Sequence, residues 1–251
     1  MSSFKPCPPG GKIFTPKLWL IDMDDTLYSA SAKMFHDIHI LMDEYIVKKL
    51  NLPYEQANEL RKAYWRRYGV TYYGLWLHHQ IDPHEFLSAT HQVDVSSIHT
   101  QGRMREAVNA LPGKKVLFTN APSCFAQQVL KRLHLHNCFS EQYKAEDMKV
   151  FGQWNPKPSA AMLRKVLAAH HLDPKECCLI DDNLNNLKVA KQIGLQTVLC
   201  KGWHHHGLEV IRPCLYVDAF VSHIRDLSKV LISPKSRAFK PHRPKFLNPY
   251  N

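Results

Sequence analysis

Short apolar runs that end abruptly in an aspartate or threonine constrain this chain most. Lys17-Leu18-Trp19-Leu20-Ile21 ends at Asp22, Val116-Leu117-Phe118 ends at Thr119, and Cys177-Cys178-Leu179-Ile180 ends at Asp181. Gln196 to Cys200 is a fourth run, and Leu215-Tyr216-Val217 reads as a short fifth. Runs this short, apolar throughout, are read as strands buried on both faces. Helical patterns separate them, over Ser123 to Leu133, Ser159 to His170 and Leu184 to Ile193, the last with Gly194 placed to cap its C-terminus. Strands alternating with helices predict an α/β fold, a Rossmann-like parallel sheet covered on both faces.

The stretch from Ser31 to Leu111 breaks that rhythm. Met34, Ile38, Leu41, Tyr45 and Val47 keep helical spacing, and Glu55 to Tyr68 continues as an amphipathic helix. Asp82-Pro83-His84-Glu85 has the chemistry of a helix start, with Pro at the first position and Glu completing a capping box. No strand pattern is visible there, so the expected organisation is a helical cap inserted into the core. Its boundaries are 1–16 for a basic Pro/Gly-rich segment, 17–30 and 105–232 for the core, 31–104 for the cap and 233–251 for a basic tail.

Composition bounds the environment. Mean hydropathy is −0.34 and no run of eighteen apolar residues occurs, so no membrane span or membrane partner is expected. The first seventeen residues lack an apolar signal region. Seven cysteines without a CxxC pair point to reduced thiols and a cytoplasmic setting. The net charge of +11 is uneven, because Lys5, Lys12, Lys17, Lys235, Arg237, Lys240, Arg243 and Lys245 carry eight of the charges and leave the middle near +3. The tail is expected to be a solubilising segment, with contact to a nucleic acid as the alternative.

In an open α/β sheet, residues just after the strands gather at one edge, where ligands bind. Asp22 and Asp24, two apart in an extended segment, point the same way. Two close carboxylates repel unless a proton or cation intervenes, and a hard divalent ion such as Mg²⁺ suits them. Thr119 and Asn120, before a helix, offer a hydroxyl, an amide and N-terminal N–H groups to an anion. Lys157 precedes another helix, and Asp181-Asp182 adds oxygen ligands. Singly these are ordinary turn, cap and surface features; together, at successive strand ends, they form a phosphate-and-metal constellation.

With these motifs in place, the chain resembles the haloacid dehalogenase superfamily. Asp22-Met23-Asp24-Asp25-Thr26 is similar to its first motif, Thr119 to the second, Lys157 to the third and Asp181-Asp182 to the fourth. The likeness spans about residues 16 to 230, and the helical insert resembles the superfamily's C1 cap. Asp24-Asp25-Thr26-Leu27-Tyr28, Phe118-Thr119-Asn120-Ala121 and Tyr68-Gly69-Val70-Thr71-Tyr72-Tyr73-Gly74-Leu75 resemble the pyrimidine 5'-nucleotidase subgroup.

The resemblance implies a Mg²⁺-dependent phosphomonoester hydrolase with Asp22 as covalent nucleophile and Asp24 as general acid/base. Thr119, Asn120 and Lys157 would hold phosphate. Asp22, the Asp24 carbonyl, Asp182 and Asp181 would hold the metal, with Asp182 as the preferred direct ligand. Asp24 favours phosphoryl chemistry, since true dehalogenases lack an acid there, although a mutase would share it. The expected substrate is a nucleoside 5'-monophosphate, UMP or CMP. The alternatives are another small metabolite, such as a sugar phosphate or phosphoglycolate, or a silent binding module of the same fold. Tyr68 and Tyr73 are the expected specificity residues. Cys124 reads as structural, and His204-His205-His206 reads as a solvated loop.

Overall fold

The computed structural model describes residues 11–30, 32–99, 102–201 and 215–232. The basic tail and His204 to His206 lie outside them. The central sheet has six parallel strands in the order β4-β3-β2-β7-β8-β9. These are β2 (Leu18–Ile21), β3 (Lys114–Phe118), β4 (Glu141–Tyr143), β7 (Cys177–Asp181), β8 (Gln196–Cys200) and β9 (Ala219–Val221). Two small pairings complete the sheets: β1 (Ile13–Phe14) with β10 (Leu231–Ile232), and β5 (Lys149–Val150) with β6 (Gln153–Trp154).

Alternation along the strands divides the core into two layers, because successive side chains point to opposite faces. Trp19 and Ile21 of β2 join Leu117, Cys178, Ile180 and Val198 on one face. Helices α5 (Met104–Ala110) and α6 (Ser123–Arg132) cover that face through Met104, Val108, Phe125 and Val129. Leu18 and Leu20 face the other way with Val116, Phe118 and Leu179, under α7 (Ala160–Ala169) and α8 (Leu184–Gln192). Strands covered on both faces explain why they read as continuous apolar runs.

Two strands of the central sheet differ from the sequence expectation. Leu215 to Val217 forms no strand; the edge strand is β9, a few residues later. β4 went unread because Glu141-Gln142-Tyr143 is a polar, partly exposed edge strand with no apolar pattern.

Four helices follow β2: α1 (Ala32–Leu50), α2 (Tyr54–Tyr68), α3 (Thr71–His79) and α4 (Pro83–Thr90). Asp82 caps α4, accepting a hydrogen bond from the His84 N–H, with Pro83 in the first position. The four helices share a core of Ile46, Ala57, Tyr72, Leu75, Phe86 and Leu87, into which Trp154 and Ala145 also pack. The two glycines of the Tyr-Gly and Gly-Leu pairs have steric reasons. A Cβ on Gly74 would stand 2.2 Å from the Tyr64 ring, so α2 and α3 approach closely there. Gly69 ends α2 at φ +80, and its Cβ would meet the Lys157 carbonyl oxygen at 2.9 Å. Among the described residues, no helix is long and apolar enough to cross a membrane.

Inside the helical layer, Arg61 Nε donates to Asp43 Oδ1 at 2.7 Å, and Asn58 Nδ2 donates to Asp43 Oδ2 at 2.6 Å. Both charges are buried. Asp43→Ala would strand the Arg61 guanidinium and destabilise the protein by about 3–5 kcal/mol. Urea denaturation measures this, and a loss below about 1 kcal/mol would show an exposed, weakly coupled pair instead.

Candidate active site

β2 delivers the Asp22 carboxylate at its C-terminal end, 6% exposed. A tight turn follows, in which the Leu27 N–H donates to the Met23 carbonyl at 2.9 Å and Asp25 takes a left-handed φ of +54. The turn carries Asp24 and buries Thr26, whose hydroxyl lies 3.4 Å from Asp22 Oδ2. It also brings Tyr28 back beneath Asp24. The Tyr28 hydroxyl, fully buried, donates to Asp24 Oδ1 in a short hydrogen bond. The sequence assigns Tyr28 no role beyond the Asp24–Tyr28 likeness; the structure puts it under the proposed acid/base. Its spacing of four from Asp24 was the available signal.

Lys157, 4% exposed, lies between two strand ends. Its Nζ donates to Asp22 Oδ1 at 2.6 Å and to Asp181 Oδ2 at 2.9 Å. Asn120 does not present its amide to open space. Its Nδ2 donates to the Lys157 carbonyl and its Oδ1 accepts the Lys157 N–H, both at 2.9 Å. The Asn120 side chain is therefore a two-ended clamp on the Lys157 backbone, which leaves the Thr119 hydroxyl as the side-chain group beside Lys157 for an anion. Thr119 is buried, and its Oγ1 accepts the Ala121 N–H at 3.0 Å.

β7 ends in Asp181, which is fully buried. Asn186 Nδ2 reaches both Asp181 oxygens at 2.9 Å, and the Asn183 N–H donates to Asp181 Oδ1 at 2.9 Å. Asn186 escaped the sequence reading. It sits in the first turn of α8, where an asparagine looks like any cap-region residue.

The electrostatics follow from crowding carboxylates in a buried place. Burial, with the charges of Asp181 and Asp24, pushes the Asp22 carboxyl up to about 7 against the pull of Lys157. Burial and the charges of Asp181 and Asp22 push Asp182 up to about 9. Burial raises Asp24 to about 6, opposed by the Tyr28 hydrogen bond. Burial works to lower Lys157, but Asp181 and Asp22 outweigh it, so its ammonium is held above the usual lysine range. One oxygen each from Asp22, Asp181 and Asp182 lie within 4.8 Å of one another. Hard oxygen donors with excess negative charge fit a divalent cation such as Mg²⁺.

A cavity of about 930 Å³ opens above these carboxylates, beneath the four helices. Phe35, Met42, Tyr72, Leu87 and Phe125 line it with His39 and His91. Burial lowers His91 to about 4, so it is a neutral wall residue at physiological pH. Arg61 also lines the cavity but is committed to Asp43. Tyr68 and Tyr73 line a neighbouring cleft instead. Cys124 is exposed at the start of α6.

Acidic strand ends, a buried lysine bridging two of them and a helical roof over a parallel sheet together form the candidate site. The profile of the haloacid dehalogenase-like hydrolases matches residues 16–194, and the chain belongs to that family. A curated relative is phosphate metabolism protein 8 of Saccharomyces cerevisiae, 24% identical over 197 residues, which cover 73% of this chain. The match spans only 61% of that relative's length. The fold is shared with a haloacid dehalogenase-family phosphatase from Thermococcus onnurineus, at a TM-score of 0.57 and 16% identity, covering 85% of this chain and 97% of that one. It is also shared with a 2-haloacid dehalogenase from Pseudomonas syringae pv. Tomato, at a TM-score of 0.54 and 19% identity, covering 86% and 97%.

Crowding makes a stability prediction. Asp22 and Asp182 have folded-state values raised above the ordinary 3.8. Their stabilising contribution is complete below about pH 4 and is lost as pH rises through about 7 and about 9. Chelator-treated protein should therefore lose on the order of 5 °C in Tm between about pH 5 and 9. Mg²⁺ should restore it, and Asp182→Asn should flatten the dependence. A Tm equally insensitive to pH and Mg²⁺ in the native sequence would refute the crowding.

Proposed function

We propose that this chain is a Mg²⁺-dependent phosphomonoester hydrolase, most specifically a pyrimidine 5'-nucleotidase converting UMP or CMP to nucleoside and phosphate. The observation that carries the chemistry is the Lys157 ammonium held between the carboxylates of Asp22 and Asp181. In that arrangement Asp22 is oriented at the floor of the cavity, and an incoming phosphoryl group meets a cation beside its nucleophile.

Asp22 attacks phosphorus and forms an aspartyl-phosphate. Asp24, raised to about 6 by burial, holds a proton near neutral pH and gives it to the leaving alkoxide. It then takes a proton from the water that hydrolyses the acyl phosphate. The Thr119 hydroxyl, the Asn120 N–H and Lys157 hold the transferring oxygens, where positioning and charge stabilisation dominate phosphoryl transfer. Asp22, Asp182 and the Asp24 carbonyl would hold Mg²⁺, with Asp181 orienting Lys157 and adding an oxygen to the set. Bound there, the ion supplies the positive charge that lets an anionic nucleophile approach an anionic ester.

Support for a nucleotide comes from two sides. The subgroup likeness lies in Asp24 to Tyr28, Phe118 to Ala121 and Tyr68 to Leu75. The cavity has aromatic and apolar walls, and its one arginine among the described residues, Arg61, is committed to Asp43, which suits an uncharged, planar base. Small soluble phosphate esters fit the cytoplasmic setting expected from the cysteines.

Phosphate release from a panel of esters, with and without Mg²⁺, tests this reading. UMP and CMP should lead the panel and lose activity on chelation. Turnover confined to sugar phosphates or phosphoglycolate would overturn the nucleotidase part alone.

Three variants test the mechanism in the same assay. Asp22→Asn should lose at least about 10⁴-fold in kcat, and Asp24→Asn about 10²–10⁴-fold. Tyr28→Phe should lower kcat by about tenfold with KM little changed, because it frees the Asp24 side chain without touching the substrate. Wild-type kcat in Asp22→Asn would rule out the covalent route.

A further inference from the structure

The cavity above Asp22 has a second, separate space at its mouth. Trp65, Gly69 and Asn183 line both the cavity and an adjoining cleft of about 840 Å³. The cleft differs chemically from the cavity. Arg66, Arg67 and Lys188 line it, and no aspartate or glutamate does so among the described residues. All three cations are exposed. Among the described residues, the ion pair of Arg66 is a long contact with Glu59, at 3.9 Å, outside the cleft. Arg67 stacks over the Tyr68 ring at 5.3 Å, and Lys188 lies 5.4 Å from the Tyr216 ring.

Two helix N-termini add to this positive field. Ser159, the cap of α7, and Asn183, the cap of α8, both line the cleft. Trp65, a large apolar side chain left 59% exposed, stands at the boundary between the two spaces. Three cations from two different helices, two helix starts and an exposed indole therefore converge on one opening. The site carboxylates Asp22, Asp24, Asp181 and Asp182 stay in the cavity.

We infer that this cleft is a subsite for a second phosphate carried by the substrate beyond the scissile ester, of the kind a nucleoside 3',5'-bisphosphate presents. The inference rests on the nucleotidase reading above and extends it. With the 5'-phosphate at Asp22 and the base under the cap, the ribose spans the two, and its 3'-oxygen is the point from which a second phosphate reaches the mouth. Arg66, Arg67 and Lys188 receive that group, and Trp65 covers the sugar edge. Arginine forks suit phosphate oxygens, and charge-assisted hydrogen bonds are the strong ones.

The test uses full-length Asp22→Asn protein, which binds without turnover, in Mg²⁺ at low salt. Calorimetry compares cytidine 5'-monophosphate with cytidine 3',5'-bisphosphate. The bisphosphate should bind about tenfold more tightly, a gap that should shrink below about twofold when Arg66→Ala and Arg67→Ala are added. Lys188→Ala should narrow it separately; because this residue lies on α8, a disturbed α2 cannot account for both results. Added salt should narrow it too. Equal affinity for the two nucleotides overturns the cleft subsite while leaving the nucleotidase reading intact. Failure of both to bind overturns the two together.

Discussion

The Lys157 ammonium, buried between Asp22 and Asp181, is the contact on which the rest of this architecture turns. A lysine with so little exposure is tolerated only where anions surround it. Those anions come from β2 and β7, neighbours in the sheet, while Lys157 comes from the loop before α7. Asn120, at the end of β3, holds that loop by its backbone at both N–H and carbonyl. Two ion pairs and the Asn120 clamp thus tie three adjacent strand ends to the loop that leads into α7. It still leaves more carboxylates than cations, which is the physical reason Asp22 and Asp182 are driven up and a divalent ion suits the place.

The same loop connects the chemistry to its roof. Gly69 packs against the Lys157 carbonyl and Pro158, so the helical layer touches the Lys157 backbone. Trp154, just upstream, packs edge-on to Tyr72 at 5.8 Å and lies under the Lys149 ammonium at 4.1 Å. A shift of the helical layer is therefore felt at the loop that carries Lys157. Gly69 and Gly74, in the segment that carries the subgroup likeness, have a packing explanation. One glycine admits the lysine loop and the other admits the Tyr64 ring.

Much of the core was legible because burial on both faces leaves a strong mark. Leu18 to Ile21, Val116 to Phe118 and Cys177 to Ile180 could hardly be anything but central strands, and the residues that follow them form the site. β4 was not legible, because a short polar edge strand carries no pattern of its own and is defined by pairing with β3. α3 was missed for a related reason. Thr71-Tyr72-Tyr73-Gly74 has poor helix propensity, and contact with α2 decides its form.

The sequence by itself determined which residues meet at the candidate site: Asp22, Asp24, Thr119, Lys157 and Asp181-Asp182 follow strands or precede helices, and an α/β sheet must gather them at one edge. Tertiary structure decided their division of labour. It turned the Asn120 side chain into a clamp and set Asn186 on both oxygens of Asp181. It placed Tyr28 beneath Asp24, and it moved Tyr68 and Tyr73 out of the cavity into the basic cleft at its mouth. None of these follows from spacing, because each depends on which side chains meet across elements far apart in the chain. A local pattern fixes where a residue sits on its own strand or helix; only packing fixes what it touches.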